Sequence, residues 1–163
     1  MSANKALTYN SLFLGTVMFM FGFLKFFDPI NTWFHVQISK SGLPPLSVPM
    51  GIVAEMSIGL SLLLAFFFRE RIGGLFKPIV SLASAGLVFN MAVATYVHLQ
   101  PEVPASVLPL GLKPPFIPLI VMLLAVLNLF ELHRAHDNPE LVTREPRGSE
   151  PSRAPRRCLP SAP

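Results

Sequence analysis

Four polar side chains stand in otherwise oily stretches of this 163-residue chain and could do chemistry there: Lys25, Glu55, Asn90 and His98. In an apolar medium an ammonium and a carboxylate can pair, exchange a proton, or hold a polar headgroup. An unpaired charge deep in a bilayer costs at least ~2.5–3.5 kcal/mol. Glu55 must therefore be paired, protonated, or turned toward a wet cavity. The functional reading is an anionic site that takes a proton, a cationic group or a headgroup. The alternative is a structural ion pair with Lys25, or a protonated acid bonded to a neighbour. Lys25 sits near the end of its stretch, in Gly22-Phe-Leu-Lys25-Phe-Phe-Asp28-Pro29, where a lysine commonly snorkels to the interface.

The elements that position these residues follow from composition. The chain is 52% hydrophobic and 13% charged, with a mean hydropathy of +0.54. Soluble domains carry about a quarter charged residues, so lipid is the expected solvent. Four apolar stretches, about 11–27, 48–68, 79–99 and 116–132, match the ~20 helical residues that cross a ~30 Å hydrocarbon core. Backbone groups in lipid must be satisfied within the segment, which predicts helices. The fold class is all-α: a polytopic four-helix membrane bundle over residues 1–133. The first stretch has a basic start and an apolar run, but no small-residue cleavage site follows, which predicts a retained span ended by Pro29. Residues 31–49 read as a connection, with Trp33 and Phe34 at interfacial depth. The loop at 100–115 contains five prolines. Residues 134–163, with six prolines, six arginines and four acids, read as a disordered tail.

Helical spacing places the four polar residues on faces rich in small side chains, which let membrane helices approach closely. Gly15, Met18, Gly22 and Lys25 share one face; Gly51, Glu55 and Gly59 share another; Ala83, Gly86, Asn90, Ala94 and His98 share a third. These three faces are expected to meet. With antiparallel spans, the rise of ~1.5 Å per residue puts Lys25 about 3 Å and Glu55 about 10 Å inside the same end. The polar groups then cluster in the outer half of the bundle, beneath Trp33 and Phe34.

Ten basic residues fall on the side that carries both termini and three on the other, so the positive-inside rule places the N- and C-termini in the cytoplasm. Asn128, Glu131 and His133 group near the inner end of the last span. His133 and His136 have a spacing that can bind a metal, but beside Arg134 a solvated helix end is the stronger reading. The lone Cys158 makes no intramolecular disulfide. No hydrolytic or nucleotide-binding motif is present, no cofactor is encoded by motif, and the charge distribution argues against nucleic acid as a partner.

The first-span ending Gly22-x-x-Lys25, the proline-containing linker and Glu55-Met-Ser-Ile-Gly59 resemble the DoxX-like family of small four-helix membrane proteins, over about residues 10–133. The resemblance implies a four-helix integral membrane fold. It also implies a role beside a partner: as a membrane subunit of quinone-linked oxidation, with quinone as the cofactor, or in assembly of other membrane proteins. Three functions are therefore expected to compete. One is an accessory or binding subunit with an outer polar cluster, the second an assembly factor without a ligand, the third a subunit of an oxidoreductase.

Overall fold

A computed structural model describes residues 3–137; the remaining tail, including Cys158, lies outside the described residues. Helix α1 runs Ala3–Leu24, α2 Ile30–Lys40, α3 Ser47–Phe67, α4 Arg69–Ile72, α5 Phe76–Leu99 and α6 Phe116–Asp137. The described residues contain no strand. Four helices are long and apolar enough to cross a membrane, and the chain is a multi-pass integral membrane protein.

The helix starts have a local cause. Pro49, Pro78 and Pro118 are each the third residue of α3, α5 and α6. A first-turn N–H has no intrahelical acceptor, so proline loses nothing there. Helix α1 stops earlier than the expected 27. The Phe26 and Phe27 amides turn back onto the carbonyls of Phe23 and Leu24, each at 3.1 Å, ahead of an Asp28-Pro29 pair that disfavours helix. Residues 31–49, expected as a connection, contain a full helix, α2. Helix α6 continues to Asp137, four residues beyond the expected end of the bundle.

The four spanning helices close a ring in which α1 packs on α3 and α6, and α5 packs on the same two. The closest approach is between α1 and α3. A Cβ at Gly59 would lie 2.5 Å from the Phe19 backbone nitrogen and 2.9 Å from the Gly15 carbonyl oxygen. Lipid solvates leucine as well as protein does, so such backbone proximity supplies the dispersion contact that holds membrane helices together. Leu14, Met18, Leu62, Val80, Leu87 and Ala125 form the main core. A second core of Ile38, Val48, Ile52, Val97, Val103 and Leu108 joins α2 and the 100–115 loop to one end of the bundle, here called the capped end; the other is the terminal end. Outside, Phe67, Leu82 and Phe89 are 76%, 77% and 73% exposed, a belt that only acyl chains solvate favourably.

Candidate functional site

The site is built where α1 ends. Gly22 sits against α3, with Glu55 and Met56 the nearest neighbours of its missing side chain. That contact lets α1 deliver Lys25 onto Glu55, whose Oε1 accepts from Lys25 Nζ at 2.6 Å. The side chains of the pair are only 11% and 10% exposed. Lys25 therefore turns inward rather than snorkelling. Its ammonium also lies 3.6 Å from the centroid of the Phe34 ring, an arrangement worth up to about 2 kcal/mol when desolvated. From α5, Asn90 donates through Nδ2 to the same Glu55 oxygen at 3.5 Å.

Helix α2 is held over this pair from four sides. Asn31 Nδ2 donates to the Lys25 carbonyl at 2.6 Å, and Gln37 donates to the Val107 carbonyl. Tyr96 donates its hydroxyl to the Ser41 carbonyl at 3.3 Å. Gly51 lets the tip of the Phe34 ring approach α3: a Cβ there would lie 3.0 Å from Phe34 Cζ. Lys113 closes the loop by donating to the carbonyls of Gln100 and Val103. An interfacial segment thus becomes a roof.

Under the roof lies a cavity of about 470 Å³ lined by all four spanning helices, α2 and the 107–110 loop. Lys25, Glu55, Asn90 and His98 all line it. His98 stands two turns beyond Asn90 on α5 and bonds none of the other three; it shares their cavity only. Two buried polar atoms of this lining have no hydrogen-bond partner, Glu55 Oε2 and His98 Nδ1. Glu55 is 8% and His98 5% exposed. Buried polar atoms are nearly always satisfied, and an orphan costs about 1–3 kcal/mol. Both residues line the cavity, and the unpartnered atom of each is covered in the empty site; a small turn of either side chain would offer it to a molecule that supplies a complementary polar contact.

The rim is apolar. Of the residues lining the cavity, the exposed ones are Phe21, Trp33 and Leu110. Leu110 holds φ 58° and ψ 13°, a left-handed conformation that costs a non-glycine residue about 1–2 kcal/mol. It is 82% exposed at the cavity edge. Sequence reading missed it, since nothing in a proline-rich loop marks one leucine as strained.

A second polar group, at the terminal end, was only half visible in the sequence. Spacing groups Asn128 with Glu131 and His133 on α6; the side-chain bonds of Asn128 go to α1 and α5. Asn128 is fully buried and accepts from Ser11 Oγ at 2.9 Å while donating to Ser84 Oγ at 3.0 Å. Asn10 Nδ2 donates to the Leu124 carbonyl at 2.9 Å and approaches Asn128 Oδ1 at 3.4 Å. Glu131 is half-buried, with one unpartnered carboxylate oxygen. His133 is exposed and bonds the Leu129 carbonyl through Nδ1 at 2.8 Å. Side-chain placement at His136 lies outside the described residues, and no cluster of three metal-ligating side chains occurs among those described.

The capped-end arrangement defines a membrane-embedded cavity with a charge-balanced polar wall. Comparisons with family models, with curated proteins and with solved structures return no match.

Proposed function

We propose that this protein is a small membrane-embedded binding subunit of DoxX-like type, in which the Lys25–Glu55–Asn90–His98 wall holds the head of an amphipathic molecule while the bundle docks to a partner membrane protein. The observation that carries this reading is that two residues lining one cavity, Glu55 and His98, each keep a buried polar atom without a partner, Oε2 and Nδ1. Its volume falls within the ~300–1,000 Å³ of clefts that bind small molecules. The apolar rim suits a ligand arriving from lipid. A quinone is one such molecule that the resemblance implies, and an oxidoreductase role would then require a redox partner. Cytoplasmic termini are supported by the basic residues: among those described, Lys5, Arg69, Arg71, Lys77 and Arg134 belong to the terminal end.

An assembly or structural role without a ligand is favoured by a different observation, the 2.6 Å Lys25–Glu55 bond that ties α1 to α3. The two readings separate on Glu55→Gln. A binding subunit loses its bound molecule, or its activity beside a partner, while the inserted protein stays monodisperse. A purely structural pair loses stability instead. Purification in mild detergent followed by mass spectrometry of bound small molecules and proteins is the direct test. A Glu55→Gln variant that retains every molecule bound by the unaltered chain defeats the binding reading.

A further inference from the structure

Building on the binding reading, we infer that the ligand is a single-chain lipid with an uncharged, hydroxyl-bearing head, its hydroxyl donating to the Glu55 carboxylate, and not a lipid with a phosphate or carboxylate head. Three observations converge on this class.

The first is charge balance. Lys25 and Glu55 compensate each other at 2.6 Å. The only cation of the polar wall, Lys25, is engaged by the carboxylate on one side and the Phe34 ring on the other. Lys113, the other cation near His98, is held away by the carbonyls of Gln100 and Val103, so an anionic head would face the Glu55 carboxylate with no free cation to balance it. A cationic head would leave it with net positive charge. Either excess is strongly unfavourable where water is excluded. A neutral head preserves the balance.

The second is the open hydrogen-bonding capacity. An ionised carboxylate only accepts, so Glu55 Oε2 requires a donor. His98 is hydrogen-bonded to the Lys113 backbone while Nδ1 is unpartnered, so Nε2 carries that bond and Nδ1 of the neutral ring is left as an acceptor. Two unpartnered acceptors on residues of one cavity match a head carrying two hydroxyl donors. A phosphate diester or a phosphocholine has no donor to give Glu55.

The third is shape. The wall below the polar atoms is apolar, made by Val17, Met18, Ile117 and Val121. The exposed lining residues, Phe21, Trp33 and Leu110, are apolar as well. One acyl or isoprenoid chain fits a cavity of about 470 Å³; the mouth admits it from the bilayer rather than from water.

The test compares two lipids that share an oleoyl chain and differ in the head: 1-monooleoylglycerol, which is neutral with free hydroxyls, and 1-oleoyl lysophosphatidate, which is anionic. The full chain is purified in mild detergent, each lipid is titrated, and occupancy is read by native mass spectrometry. Ala94→Phe, which grows a ring into the cavity, supplies the background for non-specific lipid. We expect one equivalent of monooleoylglycerol above that background. Lysophosphatidate should bind at least about tenfold more weakly, and Glu55→Gln should weaken monooleoylglycerol about tenfold, the usual loss when a hydrogen bond to a charged group is removed. Equal or tighter binding of lysophosphatidate above background overturns the inference and leaves the binding reading standing. Failure of both lipids to exceed background, with no small molecule co-purifying, overturns both. The lipid comparison on the unaltered chain decides the matter even where Glu55→Gln does not fold.

Discussion

Two buried polar groups tie α1 to the rest of this bundle, through different neighbours, and they differ in every respect that matters for function. At the terminal end Asn10, Ser11, Ser84 and Asn128 are neutral. Asn128 uses both its donor and its acceptor on side chains that are themselves fully buried. At the capped end Lys25 and Glu55 are charged, Asn90 reaches them at 3.5 Å, and Glu55 Oε2 and His98 Nδ1 are left over beside a cavity. A satisfied network rigidifies and specifies a packing. A partly satisfied one retains interaction free energy that an incoming molecule can realise. The first group fastens α1, α5 and α6; the second fastens α1 to α3 and still has polar atoms to offer.

The largest effect is expected at the α1–α3 crossing, the closest approach in the bundle. Gly59→Leu would drive a side chain into the α1 backbone, where even a Cβ lies 2.5 Å from Phe19 N. No monodisperse protein should be recovered on size exclusion. Next, Asn128→Leu removes the hub of the terminal network and leaves Ser11 and Ser84 without it. It should lower stability in detergent by about 1–3 kcal/mol while binding at the capped end stays within about twofold. A parallel loss of binding would show that the two regions are not independent.

The capped end should respond the other way round. A double-mutant cycle of Lys25→Met and Glu55→Gln should return a coupling of about 0.5–3 kcal/mol, and exchanging the two residues should restore part of it. A cycle without coupling would remove the ion pair as a fastener and leave Glu55 as a ligand-facing group alone. The smallest effect is expected at Leu110. Replacing it with glycine relieves the left-handed conformation at the cavity rim, so thermal stability should rise by about 1 kcal/mol or less. Binding should weaken modestly as the apolar edge is lost.

Much of the capped end was legible in the chain because charge in an oily span is rare and helical spacing is strict. Glu55 announced itself by cost, and Gly51, Glu55 and Gly59 announced their face by period. The meeting of Gly22 with Glu55 and Met56 follows from small residues on both helices. The terminal network was harder to see. Serine and asparagine are tolerated in spans, so Ser11 and Ser84 looked unremarkable until Asn128 stood between them. The roof was missed for a related reason. Residues 31–49 mix polar and aromatic side chains near three prolines, a composition that suits both a loop and a short amphipathic helix. Only docking on Gly51, Val107 and Tyr96 selects the helix.

Sequence alone determined the solvent, the number of spans and their helical state, because lipid leaves backbone groups no other partner and the apolar lengths match a bilayer. It also determined that Glu55 needed a partner. What only the tertiary structure decided is which polar atoms find one. Those bonds join residues 30 to 118 positions apart, and helical spacing says nothing about which oxygen of a carboxylate meets a lysine and which is left without a partner. The cavity, its neutral charge balance and its two orphaned atoms exist only once α2 has closed over the bundle.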